Sequence, residues 1–348
     1  MSGAKAMPGS RRIATRLVCL VAMALGFVGA SEAQTLKAVK ERGSLVCGVG
    51  QGLLGFSSPD DKGSWSGFDV DICRAIAAAI FNDAGKVSFV PLDAVERFPA
   101  LAAGKVDVLS RNSTWTMGRE VSLGLLFAAV AYYDGQGFLT RRALKIETAL
   151  ELDGKSVCTQ TGTTTELNLA DYFRANNMKY DLVAFASAAD MVKAYDQRRC
   201  DVLTSDVSQL YAERLKLSDP DNHVILPEVI SKEPLGPAVR QGDDQWLNVV
   251  KWTLFAMINA EEIGVGTKTL DDAMRSQKPE VKRLVGTEGS FGADLGLTSD
   301  WAARIIRLVG NYGEVFERNV GAASRLGIPR GLNAQWNNGG ILYAPPIR

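Results

Sequence analysis

The chain has 348 residues, 46% of them apolar and 22% charged, with 39 basic and 39 acidic side chains. Such a length allows two domains and a sizeable core, and such a composition is that of a soluble globular protein, not a disordered one. The one histidine, His223, stands in "PDNHVIL" beside a turn-like "DPDN" and reads as a surface or loop residue, which speaks against histidine-based nucleophilic catalysis and against multi-histidine metal sites.

The N-terminus reads as a secretory signal peptide over residues 1–33, with "SRRIATR" as its positive region, "LVCLVAMALGFVGA" as its apolar region and cleavage expected after Ala33. The apolar run is short for a membrane span of about 20 residues, and Cys19 lies too early in it for a lipid-anchor site. Cleavage would remove four basic residues and one acid, leaving 35 basic against 38 acidic side chains. With no basic stripe there is no electrostatic footprint for nucleic acid, so small molecules or proteins are the expected partners.

From Leu36 the pattern alternates strand and helix. "TLKAVKERG" is helix-like, "SLVCGVG" strand-like, and "GFDVDICRAIAAAIF" has apolar residues at helical spacing; "KVSFVPLD", "ERFPALAAG" and "KVDVLS" continue as strand, helix and strand. A second run repeats the theme with "KSVCTQ", "TTELNLADYFRANN", "DLVAFA", "AADMVKAYDQRR" and "CDVLTS". "VDVLSRN" and "CDVLTSD" match in register, setting Asn112 opposite Asp206 and pointing to two similar α/β lobes. The Pro/Gly-rich "SKEPLGP" should carry the chain back to the first lobe, before a long amphipathic helix, further helices and a Gly/Pro/Asn-rich tail strapped to the surface. The expected division is lobe 1 over 34–133 plus 236–272, lobe 2 over 134–235, and a helical extension with its tail over 273–348.

Ligands of open α/β sheets bind beyond the carboxyl ends of the strands. "RNST" occupies one such end in the first lobe, and "QTGTTTE" and "SDVS" two in the second. Arg119 offers a planar fork of donors for a carboxylate, with Asn112 and Thr114 adding hydrogen bonds. "TTTE" at 163–166 has capping-box spacing, so it should open a helix whose N-terminus attracts an anion. Asp206 supplies the opposite charge. A carboxylate held from both lobes with an ammonium held by Asp206 describes an α-amino acid. Each feature has a plainer reading: Arg119 as a surface ion pair, "TGTTTE" as a capped helix, Asp206 as an N-cap of "VSQLYAERLK".

Several segments carry a resemblance: "GFDVDICRAIAAAIF", "RNSTWTMGRE", "YYDGQGF", "QTGTTTELNLADYFRANNMKY", "SKEPLGPAVRQGDDQW", "NYGEVFERN" and "RGLNAQWNNGGILYAPP". Together they resemble the general L-amino-acid-binding periplasmic proteins of polar amino acid ABC transporters, in solute-binding protein family 3. The resemblance implies a type II two-lobed periplasmic-binding-protein fold, each lobe a mainly parallel sheet flanked by helices, with two crossovers as hinge. It also implies a monomer without cofactor, catalysis or metal that closes on a free L-amino acid and delivers it to a membrane permease. Arg119 would grip the α-carboxylate, aided by Thr114, Thr163 and Thr164, and Asp206 the α-ammonium; Asn112, Arg97 and Leu53 complete the candidate ligand set. Leu53 stands where many relatives have an aromatic ring, while Phe56 fits the lobe core, which favours weak side-chain discrimination. The rival readings are a ligand-sensing module and an enzyme similar to periplasmic cyclohexadienyl dehydratases, which would need a carboxylic general acid in the cleft.

Four cysteines follow the leader, Cys47, Cys73, Cys158 and Cys200, with no C-x-x-C spacing. Export favours disulfides over free thiols, and three pairings are possible. Cys47 and Cys73 lie in the first strand and first following helix of lobe 1, and Cys158 and Cys200 at two strands of lobe 2. Pairing within each lobe is therefore expected.

Overall fold

The computed structural model describes residues 1–4 and 34–348, so most of the leader expected over 1–33, Cys19 and the cleavage point at Ala33 lie outside the described residues. Among the described residues no helix is long and apolar enough to cross a membrane.

Each lobe is built on a five-stranded sheet of the same plan. In lobe 1 the order is Val87–Pro91, Leu45–Val49, Val108–Leu109, Ala238–Arg240, Leu125–Phe127; in lobe 2 it is Tyr180–Phe185, Lys155–Gln160, Val202–Asp206, Gln136–Arg141, His223–Ile225. The first three strands of each run parallel, and the last two join antiparallel because each fourth strand enters its sheet directly from a crossing between lobes. "VDVLSRN" and "CDVLTSD" hold the same third place in the two sheets, so the internal match in the sequence is a structural equivalence.

The parallel strands are fed by helices whose burial follows from their patterning. Phe68–Phe81 is apolar on nearly every face and is packed on nearly every face, against Leu45–Val49, Asp244–Glu262 and Trp301–Leu308. Its start requires Gly67, which sits at φ +131° where a Cβ would meet the Phe56 carbonyl oxygen at 2.2 Å. Asp244–Glu262 is capped by Asp243, whose carboxylate accepts from Trp246 N at 2.9 Å. The helices after residue 273 do not form a body of their own: Val281, Ile305, Phe316 and Ile328 belong to the same apolar cluster as Leu45 and Phe68. Lobe 2 has two smaller clusters, one around Met191 and Leu203 and one around Phe138 and Leu169.

The two crossings pair with each other. Tyr132–Asp134 runs antiparallel to Glu233–Leu235, with Glu233 opposite Asp134, and forms a two-stranded ribbon between the lobes. Gly236 lets the return crossing pass close to Ala129, whose carbonyl oxygen would stand 2.0 Å from any Cβ there. The C-terminal strap reaches this ribbon as well: the Asn333 side chain accepts from Tyr133 N at 2.7 Å and donates to Tyr133 O at 3.0 Å, so its amide acts as one more strand residue.

The cysteines are joined as Cys47–Cys73 and Cys158–Cys200, with Cα separations of 6.3 and 5.8 Å, one bridge inside each lobe. His223 differs from its expected surface placement: it starts an edge strand, is buried, shares a hydrogen bond with Asp219 O at 2.8 Å and packs on Tyr195. The turn that made it look exposed folds back over it.

Candidate ligand-binding cleft

Between the lobes lies a cavity of about 120 Å3, lined from lobe 1 by Leu53, Asp93, Arg97, Arg111, Asn112 and Thr114 and from lobe 2 by Thr163, Thr164, Asp206, Gln209, Glu213 and Lys216 among others. The lobes are shut on one another. Asn112 Nδ2 donates to Gln209 Oε1 at 3.1 Å, and Lys216 Nζ reaches Gly52 O at 3.1 Å, both across the cleft.

Lobe 1 contributes positive charge. Arg97 opens the Arg97–Ala102 helix, is buried, and has Nε without a partner; its one side-chain bond is from Nη1 to Ser113 Oγ at 3.3 Å. Arg111 is also buried with an unpartnered Nε, and its Nη1 has a long bond to Asp93 O, 3.4 Å. Burial destabilises both cations, and each is further raised in energy by neighbouring guanidinium groups. The Arg97 pKa falls well below the ordinary arginine range, and that of Arg111 falls to about 10 although Asp69 opposes the shift. Buried guanidinium groups with unused donors call for an anion.

Arg119 is placed differently from the other candidates, since it does not line the cavity. It lies behind the cavity wall, donating from Nη1 to Thr114 O at 2.8 Å and stacking over Phe98, the ring that Arg97 also covers. Burial lowers its pKa while Glu233 and Asp206 act to raise it, so it stands within the field of the cleft acids.

Lobe 2 contributes the opposite charge. Asp206 ends its strand and stands at the N-cap of the Val207–Arg214 helix, yet makes no side-chain capping bond, so the plain capping role weighed from sequence does not occupy its carboxylate. Burial raises its pKa well above the ordinary carboxylate value, reinforced by Asp134 and Glu233 and opposed by Arg97 and Arg119. A neighbouring cation would relieve this.

The threonines hold a surprise in their hydrogen bonding. Thr163 is the N-cap of the Thr164–Ala175 helix, but the capping box expected from "TTTE" is not formed: its hydroxyl donates backward to Gln160 O at 2.7 Å and accepts from Thr165 Oγ1 at 2.8 Å. Thr114 and Thr164 both donate to Glu233 Oε2, at 2.5 and 2.9 Å. A hydroxyl has one proton, so what these three side chains offer a ligand in this arrangement is lone pairs. The backbone N–H groups of the first helical turn remain the anion donors at that end.

Leu53 is buried at the cavity wall in the loop after the first strand, and Phe56 is core, packed on Phe68 and Tyr132. Sequence reasoning missed Arg111, Gln209, Glu213 and Lys216 as lining residues, and Glu233 and Asp134 behind them. Arg111 was legible as the charge opening "RNST" at a strand end, and Glu213 and Lys216 as positions on the cleft-facing helix that follows Asp206.

A family model for bacterial extracellular solute-binding proteins, family 3, matches residues 45–265. The chain belongs to that family. It is 57% identical over 325 residues to the general L-amino acid-binding periplasmic protein AapJ of Rhizobium johnstonii, covering 92% of this chain and 95% of that protein. It is 51% identical over 329 residues to the glutamate/glutamine/aspartate/asparagine-binding protein BztA of Rhodobacter capsulatus, covering 94% and 97%. A solved periplasmic binding protein from Brucella ovis with glutathione bound is 57% identical and superposes with a TM-score of 0.89 over 90% of this chain and 99% of that one. The similarity to these three proteins extends beyond the matched segment, over 90% or more of this chain.

Proposed function

We propose that the protein is a non-catalytic periplasmic receptor that captures a free L-amino acid by its two charged ends, closes on it as a monomer, and delivers it to the membrane permease of an ABC transporter. The observation that carries this reading is the opposition of buried charges across one closed cavity, Arg97 and Arg111 with unused donors on lobe 1 and Asp206 on lobe 2. A zwitterion neutralises both sides at once.

The cavity is of the right scale. At about 120 Å3 it is far below the 300 Å3 and more of drug-sized pockets, as suits a ligand of amino-acid size. Micromolar binding needs about 8 kcal/mol, and two charge-assisted anchors at about 1.5–3 kcal/mol per hydrogen bond supply much of it through groups every amino acid shares. Two guanidinium groups lining the wall, with Arg119 behind, exceed what one α-carboxylate needs and favour ligands with a second carboxylate or amide. The names of the Rhizobium and Rhodobacter relatives agree with such a range, and glutathione itself presents a free α-amino-acid head.

The test is calorimetry of the protein, unfolded and refolded to strip retained ligand, against the twenty amino acids, glutathione and the corresponding decarboxylated amines. Amino acids should bind at micromolar or tighter affinity and the amines should not. Amine binding as tight as that of the parent amino acid would defeat the zwitterion reading.

A further inference from the structure

Glu233 lies in the return crossing, in a stretch that looks like a linker, and is 1% exposed. A carboxylate so buried needs its lone pairs satisfied. It has four donors: Oε2 accepts from Thr114 Oγ1 at 2.5 Å and Thr164 Oγ1 at 2.9 Å, and Oε1 from Asn168 Nδ2 at 2.6 Å and Ser231 Oγ at 2.7 Å. Thr114 belongs to lobe 1, Thr164 and Asn168 to the first helix of lobe 2, and Ser231 to the connector.

We propose that Glu233 is the latch of the cleft: one carboxylate, gripped by threonines from both lobes, holds the lobes shut and sets the direction in which Thr114 and Thr164 point their hydroxyl protons. The two threonine oxygens stand 3.3 Å apart with Glu233 beneath them, so a rotation that parts the lobes separates them and strips at least one donor from a buried anion. The latch thus lowers the cost of closing, so the ligand-free lobes visit the shut state more often than they otherwise would, and a ligand that completes the site holds them there. The fixed protons also give the site a polarity. Lone pairs of Thr114 and Thr164 face the cavity beside Asp206 and suit an ammonium, which leaves the ligand's carboxylate to the arginines and the helix N-terminus. This polarity rests on the amino-acid reading above, whereas the latch does not.

The test uses the full chain and three variants. Glu233→Gln keeps the shape but replaces one acceptor oxygen by a donor amide, so two of the four donors lose their partner. Thr164→Val removes one donor from lobe 2, and Thr164→Ser restores the hydroxyl. Small-angle scattering of ligand-free protein should show a larger radius of gyration for Glu233→Gln and Thr164→Val than for the wild type, and a return for Thr164→Ser. Stopped-flow dissociation of whichever amino acid binds the wild type should be at least tenfold faster in the first two variants and near wild type in the third. Wild-type scattering and dissociation in Glu233→Gln and Thr164→Val would overturn the latch. Should Glu233→Gln fail to fold, the Thr164 pair decides alone, with loss in Thr164→Val and rescue by Thr164→Ser supporting it and equal behaviour of the two overturning it. A wild type that binds no amino acid would overturn the functional reading and leave the scattering comparison to judge the latch.

Discussion

Asn112 of one lobe donates its side-chain amide to Gln209 of the other at 3.1 Å, a bond that exists only while the cleft is shut. Asn112 also has its backbone N–H on Asp69, so the donor is anchored to the Phe68–Phe81 helix of lobe 1. Rotation about the Tyr132–Asp134 and Glu233–Leu235 ribbon would break this bridge and the Lys216 contact to Gly52 together. Asn112→Ala should therefore raise the ligand dissociation rate several-fold with little change in the association rate, read by stopped-flow fluorescence. An unchanged dissociation rate would mean that the cleft closes without this contact.

Arg119 and Arg97 should fail in different ways. Arg119→Ala removes a cation behind the cavity wall that acts on a ligand only through Thr114 and its field, so all amino acids should weaken alike and only several-fold. Arg97→Ala removes a cavity-lining guanidinium with unused donors, so acidic, amide and apolar ligands should all weaken, by on the order of a hundredfold for lost charge-assisted bonding. Titrating four ligands against each variant checks both; the opposite pattern would exchange the two assignments.

Asp206 must be ionised to hold an ammonium, and burial keeps its pKa well above the ordinary carboxylate value in the unliganded protein. Ligand binding should lower that pKa, because it brings in the missing cation. The sign follows: below the unliganded pKa, binding releases a proton, so affinity rises with pH through that window and levels above it. Calorimetry at acidic pH in buffers of different ionisation enthalpy should show proton release that vanishes at high pH. Asp206→Asn should weaken all ligands and flatten the profile; a profile with the same slope would move the titrating group elsewhere.

The two bridges close loops with sequence separations of 26 and 42 residues. Chain-entropy arguments give about 3–4 kcal/mol for each. Replacing Cys158 and Cys200 by alanine should lower the melting temperature while leaving ligand binding intact below it, since neither residue lines the cleft. Non-reducing peptide mapping checks the pairing directly, and any peptide joining a lobe 1 cysteine to a lobe 2 cysteine would contradict it.

The strands and main helices were legible because burial imposes simple periods: "SLVCGVG" has the unbroken apolar run of an interior strand, and "GFDVDICRAIAAAIF" that of a central helix. The strand ends were legible as a site because small polar groups there have no core to join. What escaped was whatever depends on where a side chain turns. Thr163 has the spacing of a capping box, yet its hydroxyl found the nearer Gln160 carbonyl. His223 is surrounded by turn residues, yet Tyr195 and the edge of the sheet bury it. Glu233 is flanked by "SK" and "PLGP", the composition of a connector, and nothing local shows that donors from residues 114, 164 and 168 converge on it. Side-chain hydrogen bonds between distant segments leave no period in the sequence.

Asn333 sits 200 positions along the chain from the Tyr133 backbone that it completes. In chain order both crossings, at residues 132–134 and 233–235, precede by about a hundred residues or more the side chain that closes the edge of the first. The ribbon between the lobes therefore acquires its full set of partners only when the tail has wrapped back. The C-terminal strap is thus a completion signal: a chain that stops short of it lacks both the partner of Tyr133 and the last pieces of the lobe 1 core, Leu342 and Ala344.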